Sequence, residues 1–395
     1  MRIAFLSQSR RRIGGTEAYL DAVLPAFCRA GHSVAFICEN DSHAQPGLIA
    51  SPEGSATWCA SSLGIPQVLQ ELARWKPDIA YAHGLANPDF EDAILGIAAG
   101  VLYVHNYYGT CISGEKSHST ATPRICQRRF GPACLLHYFP DHCGGRSPFT
   151  MWSQYRLQAR RLQLMSRYRA LVTNSQYLVR ELAQHNLQAQ CVYPFTGGDT
   201  RDRTVPPAFE SDPLRLIFAG RMSSLKGGKY LLHAAVVVQR ILQRKLHVTL
   251  AGDGTDRGEW ARLSAQLQNN NLTFEFLGWL SPPELQSAIA RSHLHVLPSI
   301  WPEPFGLSGL EAGLLGVPTV AFAVGGIPEW LKENVNGHLA PTPPTPEGLA
   351  AAIVSSLANA EHYQQLREGA CAEAQHYSLT DHIARLTTIF ESHLA

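Results

Sequence analysis

The sequence predicts an α/β protein made of two doubly wound domains, each with a parallel sheet. Its 395 residues exceed what one hydrophobic core usually organises. Short apolar runs alternate with helical segments in two separate series, and a stretch rich in Gly, Pro and charge lies between them. We therefore predict an N-terminal domain over residues 1–197, a linker over 198–213, a C-terminal domain over 214–375, and a final helix over 376–395 that packs back on the N-terminal domain.

The first series of elements begins at the N-terminus. Strands are predicted at IAFLSQ, HSVAFICE, PDIAYAHG, GVLYVHN and ALVTNS, and helices at Thr16–Ala30 and Pro66–Trp75. Each strand ends in polar or small residues, where a parallel sheet places its functional loops. A Cys-rich insertion, at about residues 107–150, interrupts the alternation.

The second series follows the linker. Strands are predicted at LRLIFAGR, LHVTLAGDG, TFEFLGWL, LHVLPS and TVAFAV, and helices at Gly228–Gln243 and Gly258–Asn269. Apolar residues at helical spacing after Pro346, such as Leu349, Ile353 and Leu357, predict that the chain finishes in helices.

Composition excludes several classes of protein. With 45% hydrophobic residues, 16% charged residues and a net charge of +1, the chain has no overall field to recruit nucleic acid. The first apolar run, Ile3 to Leu6, is too short for a secretory signal, and no stretch is long enough to span a membrane. We expect a cytoplasmic protein, with peripheral contact at the inner face of the membrane left open.

Two loops of the second series carry charged residues suited to an anionic ligand. In FAGRMSSLKGGK, Arg221 and Lys226 flank a loop that opens a helix, where a diphosphate would find both cations and free N–H groups. In WPEPFGLSGLE, a helix is predicted to begin near residues 305–307, with Glu303 in the preceding loop near a sugar and Glu311 two turns into the helix, near a ribose. The simpler interpretation is a solvated cation pair, an acid at a helix start and a surface acid.

The N-terminal half offers weaker candidates. Gly14 and Gly15 lie between the first strand and its helix, where their small size lets the backbone approach a ligand, although a simple turn explains them as well. His105 ends the strand VLYVH at the edge where parallel sheets present catalytic groups. His83, in YAHGL, has a similar position, and we interpret it as structural.

Two further features have open interpretations. Cys111, Cys126, Cys134 and Cys143 lack the C-x2-C spacing of a zinc site. Two disulfides, a metal site that uses His137 or His142, and four packed thiols all remain open. A structural role is preferred to a metal site.

The segment Tyr155–Tyr168 carries four arginines, Arg156, Arg160, Arg161 and Arg167, among apolar residues. It would suit either anionic lipid or a charged outer face of a packing helix.

Three segments in order, GRMSSLKGG, EPFGLSGLE and AVGGIPE, resemble the retaining glycosyltransferases of family four, whose signature is two glutamates separated by seven residues. The resemblance implies the GT-B architecture, two Rossmann-like domains facing a central cleft. It implies that Arg221 and Lys226 neutralise the diphosphate of the donor, that Glu303 contacts its sugar, and that Glu311 holds its ribose. The further implied donor contacts are the backbone of Phe305, Gly306 and Leu307, the base-framing Gly278 and Trp279, the glycine pair Gly14 and Gly15, and His105 near the sugar.

The same resemblance implies a function: transfer of a sugar from a nucleotide-diphosphate donor to a glycan, lipid-linked or small-molecule acceptor by a retaining, front-face mechanism. A UDP-sugar is the first expectation and a GDP-sugar the alternative, with no required metal ion because the two cations replace it. Polysaccharide or glycolipid assembly is the common setting of the family. The rival functions are a nucleotide-sugar epimerase, an inverting GT-B transferase, and a non-catalytic sugar- or metal-binding protein on the same scaffold.

Overall fold

The computed structural model describes residues 1–11, 14–41, 47–118, 124–197 and 207–394. These residues form two compact units. The first unit contains Met1–Thr120, Cys126–Phe195 and Ser378–Ala395, and the second is built around Thr196–Tyr377. Residues 198–206 of the predicted linker lie outside the described part of the chain.

The first unit is organised by a seven-stranded parallel sheet with the strand order β3-β2-β1-β4-β5-β8-β9. Its strands are β1 (Arg2–Ser9), β2 (Ser33–Asn40), β3 (Ala56–Cys59), β4 (Ile79–Ala82), β5 (Ala99–Val104), β8 (Ala170–Thr173) and β9 (Gln190–Cys191), while β6 (Ser117–His118) and β7 (Arg124–Ile125) form a separate two-stranded sheet. Its helices are α1 (Gly15–Arg29), α2 (Ala60–Leu63), α3 (Ile65–Trp75), α4 (Pro88–Leu95), α5 (Ala133–His137), α6 (Pro148–Met165) and α7 (Gln176–Ala183).

Both faces of this sheet are buried, because side chains alternate along each strand. Ile3 and Phe5 of β1 belong to one core with residues of α1, whereas Ala4 and Leu6 belong to a second core with residues of α3 and α4. This double burial explains why the strands read as nearly continuous apolar runs in the sequence.

The second unit repeats the architecture with a six-stranded parallel sheet in the order β12-β11-β10-β13-β14-β15. Its strands are β10 (Leu214–Ala219), β11 (Leu246–Ala251), β12 (Leu272–Gly278), β13 (Leu294–Leu297), β14 (Thr319–Phe322) and β15 (Gly337–Ala340). Its helices are α8 (Gly228–Leu242), α9 (Arg257–Leu267), α10 (Pro282–Ala290), α11 (Ser308–Leu314), α12 (Pro346–Ser356) and α13 (Ala360–Gln375).

The last helix, α14 (Leu379–Ser392), belongs to the first unit rather than to the second. Leu386 and Phe390 of α14 are fully buried in the core that α1 and β1 also form. The ring of Phe390 stacks on Phe27 at a centroid distance of 5.6 Å. The end of the chain therefore completes the core that the start of the chain begins.

The predicted fold class, two doubly wound α/β domains with parallel sheets, is confirmed. The sequence did not predict β3, β9 and β15, which are only two to four residues long and give no periodic signal. Within the described residues, no helix has the length and apolar character needed to cross a membrane.

Candidate functional site

In the second unit, the candidate residues lie in loops that follow β10, β13 and β14, at the carboxyl edge of the sheet. The β10 loop and the β13 loop are joined through their backbones. The carbonyl oxygen of Leu225 accepts hydrogen bonds from the N–H groups of Ile300, at 2.9 Å, and Trp301, at 3.1 Å. Lys226 and the loop that carries Glu303 are therefore held next to each other by the main chain.

Glycines permit this close packing of backbones. A Cβ atom added at Gly227 would lie 1.8 Å from the carbonyl oxygen of Pro298, and the residue has a φ of +70°. A Cβ atom at Gly326 would lie 2.3 Å from the carbonyl oxygen of Pro304, and the N–H of Gly326 donates to the carbonyl of Glu303 at 2.8 Å. The AVGGIPE segment thus supports the Glu303 loop directly.

Lys226 and Glu303 form an ion pair. The Nζ atom of Lys226 lies 2.6 Å from Oε1 of Glu303 and 5.0 Å from the centre of the Trp301 ring. The side chain of Glu303 is 6% exposed and that of Lys226 is 26% exposed, so the ammonium group is within reach of a ligand. The aromatic face and the carboxylate fix the position of this cation. No pattern in the sequence pointed to Trp301.

Arg221 is exposed, and among the described residues its guanidinium has no ion-pair or hydrogen-bond partner. Its backbone is held in place next to Met222, whose N–H group donates to the carbonyl oxygen of Asp253 at 2.8 Å. The structure therefore brings Lys226 to Glu303 but records no contact between Arg221 and either residue.

The segment from Phe305 to Glu311 corrects one detail of the sequence prediction. Helix α11 begins at Ser308 rather than near residues 305–307, so Glu311 lies in the first turn and not two turns into the helix. The backbone N–H groups of Gly306, Leu307 and Ser308 have no acceptor within the described part of the chain. The helix begins late because Gly306 adopts a φ of +82°, which is not a helical conformation.

Glu311 is half-buried. Burial raises the pKa of its carboxyl group, and no described residue bonds to it. Phe305 is buried, and its carbonyl accepts the indole N–H of Trp330 at 2.7 Å. Gly278 has a φ of +69°, and the side chain of Trp279 is 73% exposed after β12.

In the first unit, His105 follows β5 and is bonded to His83, which follows the neighbouring strand β4. Nδ1 of His83 lies 2.8 Å from Nε2 of His105. Burial, together with a smaller effect of the nearby His382, lowers the pKa of His105 to about 3, so its imidazole is neutral at physiological pH. His83 was interpreted as structural, although its position at the end of the strand next to β5 indicated that it could lie beside His105.

His382 comes from α14 and forms a buried chain of hydrogen bonds with Tyr19 and Tyr81. The carbonyl of Tyr193 lies 2.7 Å from Nδ1 of His382 and can only accept, so this nitrogen carries the proton. Nε2 of His382 must then accept from the hydroxyl of Tyr19 at 2.7 Å, and the hydroxyl of Tyr81 donates to Tyr19 at 2.7 Å. The ring of Tyr19 contacts the ring of His105 edge-on, with centroids 5.2 Å apart.

Around His105 the first unit has a cavity of about 550 Å³. It is lined mainly by polar side chains from the end of β1, the start of α1, the loops after β4 and β5, and α6. Helix α1 begins beside it, with Gly14 as the N-cap and Gly15 as the first residue. A Cβ atom added at Gly15 would meet no atom within 4 Å, and one at Gly14 would lie 3.3 Å from a carboxylate oxygen of Glu17.

The Cys-rich insertion brings its four cysteines together. Cys111, Cys126, Cys134 and Cys143 line one cavity of about 20 Å³, together with His137. All four are free thiols, which disfavours the alternative of two disulfides. Within the described residues, no group of three or more His, Cys, Asp or Glu side chains is arranged to hold a metal ion.

Three of the four arginines in the segment Tyr155–Tyr168 bond to other residues of the chain. Arg160 bonds to Asp92 at 2.9 Å, Arg167 pairs with the same carboxylate, and Arg161 donates to the carbonyl of Leu85 at 3.0 Å. Only Arg156 remains exposed without such a partner among the described residues. This arrangement corresponds to a packing helix with a charged face, and it gives the lipid interpretation no support.

Comparison with known proteins identifies the second unit most clearly. Residues 200–372 match the family model described as glycosyl transferases group 1. The D-inositol 3-phosphate glycosyltransferase of Saccharomonospora viridis is 35% identical over 176 residues, which cover 42% of this chain and 40% of that protein. The glycogen synthase of Mycobacterium tuberculosis is 34% identical over 148 residues, covering 37% of this chain and 34% of that protein. The chain thus spans only about a third to two fifths of these curated relatives.

The fold of the whole chain is similar to that of solved structures. The Anabaena protein HepE, solved in complex with UDP and glucose, matches with a TM-score of 0.67 at 19% identity, covering 99% of this chain and 100% of that chain. At this identity the likeness establishes the fold alone.

Proposed function

From the match of residues 200–372 to the family model of group 1 glycosyltransferases, we propose that the chain transfers a sugar from a nucleoside diphosphate donor to a hydroxyl acceptor, with retention of the anomeric configuration. The observation that carries the proposal is the ion pair between Lys226 and Glu303, 2.6 Å apart at the carboxyl edge of the second sheet. In the proposal, Lys226 supplies a cation for a diphosphate and Glu303, beside it, supplies a carboxylate for a sugar.

In this proposal the donor binds to the second unit. Its diphosphate meets Lys226, the exposed Arg221 and the free N–H groups of Gly306 and Leu307, while the carboxylate of Glu303 turns to the hydroxyls of the sugar. Glu311, with no partner among the described residues, accepts hydrogen bonds from the ribose, and Gly278 and Trp279 border the base. Because the charged loops hold themselves in place through backbone contacts, they need little rearrangement when the donor binds.

The proposed reaction is a front-face displacement. The bond between the anomeric carbon and the phosphate oxygen breaks, and its electron pair stays on the diphosphate. The acceptor hydroxyl oxygen forms the new bond on the same face and passes its proton to that phosphate oxygen. Lys226 and Arg221 stabilise the negative charge that develops, and preorganised charge of this kind is usually the largest catalytic contribution.

The first unit supplies His105 and the glycine pair Gly14 and Gly15, which we propose lie against the donor sugar and phosphate. A pKa of about 3 makes the imidazole of His105 a weak base, so in the proposal it acts as a hydrogen-bonding group rather than as a general base. We expect no metal requirement, because Lys226 and Arg221 take the place of a divalent ion in neutralising the diphosphate. A UDP-sugar is the preferred donor in this proposal, with a GDP-sugar as the alternative, and a glycan or lipid-linked acceptor would fit assembly of a polysaccharide or glycolipid.

A cytoplasmic location stays part of the proposal. Peripheral membrane contact stays a prediction, and sedimentation with anionic liposomes tests it.

The experiment that tests the proposal begins with a thermal-shift screen of UDP-, GDP- and ADP-sugars, because a ligand that binds the folded protein raises its stability. Donor consumption is then followed by NMR, with and without EDTA, and the anomeric configuration of the product is read from the same spectra. We expect retention and no effect of EDTA. An inverted product, epimerised donor or strict dependence on Mg²⁺ or Mn²⁺ would contradict the proposal.

A matched pair of variants provides the control. Glu303→Gln should abolish most of the activity, whereas Glu259→Gln should not, although Glu259 also pairs with a lysine, Lys229, at 2.6 Å. Equal activity in both variants would show that the Lys226–Glu303 pair is only structural.

A further inference from the structure

We propose that the cavity of the first unit binds an uncharged, hydroxyl-rich sugar or cyclitol, and not a phosphorylated one. The inference deepens the proposed function, since it names the chemical class of the acceptor, and it rests on that function only for calling this ligand the acceptor. A volume of about 550 Å³ lies in the range of about 300–1,000 Å³ that small-molecule sites usually have.

The first argument is the free hydrogen-bonding capacity of the lining. Gln8, Asn106 and Gln154 line the cavity, and no described residue bonds to their side-chain amides. Thr16 adds a hydroxyl group from the first turn of α1. Amides and hydroxyls both donate and accept, as the hydroxyls of a sugar do. None of these groups can neutralise an ionic ligand.

The second argument is the balance of charge. Arg161 is the one Lys or Arg among the described residues that line the cavity, and its guanidinium lies 4.6 Å from the centre of the Tyr108 ring. Its guanidinium donates to the carbonyl of Leu85 at 3.0 Å and acts electrostatically on Glu91, a fully buried acid that accepts a hydrogen bond from Tyr108 at 3.0 Å. Glu17 adds a carboxyl group to the lining. Among the described lining residues, a phosphate dianion would therefore meet a single guanidinium with two acidic side chains nearby.

The third argument is the state of the histidines. His83 and His105 both line the cavity and bond to each other, and burial lowers the pKa of both imidazoles, so neither brings a positive charge. The second unit presents the opposite arrangement, with Lys226 and Arg221 at its carboxyl edge. The two described cations that the proposed function assigns to a diphosphate thus lie in the second unit and not along this cavity.

The test uses the full chain in the presence of UDP and compares matched pairs of ligands by isothermal titration and saturation-transfer NMR. The pairs are myo-inositol with inositol 3-phosphate, and methyl glucoside and methyl galactoside with their 6-phosphates. We expect the neutral member of at least one pair to bind at least tenfold more tightly than its phosphate, with an affinity that salt does not change. Tighter binding of the phosphate, or no binding of any neutral member, would overturn the inference.

Two variants in α6 test whether the neutral ligand binds in this cavity. Gln154→Leu should weaken binding of the neutral ligand at least tenfold, whereas Gln163→Leu, on the exposed side of α6, should leave it unchanged. Equal affinities in the two variants would overturn the placement. Hydrolysis of the donor by the unmodified protein is measured separately. Its absence would refute the glycosyltransferase proposal, but a preference for the neutral ligand would still stand.

Discussion

Lys226 is the residue on which the donor site depends most. Its ammonium group is held between the carboxylate of Glu303 and the ring of Trp301, yet about a quarter of the side chain is exposed. A pair that is partly open to solvent contributes little to stability, because water competes for both charges. We infer that this pair is retained for binding, since an entering diphosphate can replace Glu303 as the partner of the ammonium group.

Replacing Lys226 tests this inference. Lys226→Met should lower kcat/KM for the donor by about a hundredfold or more, because loss of one charge that stabilises the leaving group costs a few kcal/mol in the transition state. Steady-state kinetics of donor consumption give the value. Lys229→Met is the matched control, because Lys229 is also paired at 2.6 Å but lies on the exposed side with Glu259, and it should have no effect. A similar loss in both variants would assign the effect to stability rather than to the diphosphate.

His105 leads to a prediction about pH. Its pKa is lowered to about 3, so the imidazole is uncharged from about pH 5 upwards and cannot produce a limb near pH 6.5 in the rate profile. We expect log kcat/KM to be free of a histidine titration between pH 5.5 and 8. A profile in which activity falls below about pH 6.5, and does so no longer in His105→Gln, would show that His105 acts as a base.

At the scale of elements, the loops after the strands of the second sheet behave as one assembly. The β10 loop bonds to the β13 loop through Leu225, and the β13 loop bonds to the β14 loop through Glu303 and Gly326. The sequence predicted the three motifs separately, and their positions at strand ends indicated that they would meet. It could not show that Gly326 supports Glu303, because this contact joins two backbones and depends on how the strands align.

Gly326→Ala should therefore impair donor binding without touching a charged group. The added methyl would lie 2.3 Å from the carbonyl oxygen of Pro304, and since φ at this position is −87° the effect is steric rather than conformational. We expect a loss of at least tenfold in donor affinity by calorimetry. Gly258→Ala, in α9, has its nearest contact at 3.7 Å and serves as the control. Unchanged affinity in Gly326→Ala would mean that the Glu303 loop does not depend on this support.

For the whole molecule, buried histidines link stability to pH. His382 in the first unit and His293 and His295 in the second are almost fully buried, and burial lowers the pKa of each to about 4. The unfolded chain, with a pKa near 6.5, takes up protons that the folded chain does not. The stability that these groups contribute is therefore complete above about pH 6.5 and is lost as the pH falls towards 4.

Urea denaturation at pH 7 and pH 5 checks this linkage by measuring the free energy of unfolding. Each additional proton that the unfolded chain takes up lowers this free energy by about 1.4 kcal/mol per pH unit. We expect His295→Leu to lose less of it between pH 7 and pH 5, because Nε2 of His295 is buried without a partner among the described residues and the variant removes one site of proton uptake. His376→Leu, at an exposed position, is the control and should keep the full dependence. Identical pH dependence in the two variants would exclude His295 from the linkage.

The sequence by itself determined the two series of strands and helices and the places of the charged motifs, because hydrophobic period and strand-end loops are local properties of the chain. The tertiary structure alone decided which side chains meet. Tyr19 and His382 are 363 residues apart and bond to each other, His83 reaches His105 because β4 and β5 are neighbours, and Glu311 lies one turn earlier in its helix than expected. Such contacts depend on strand order and on a single glycine conformation, which no local pattern encodes.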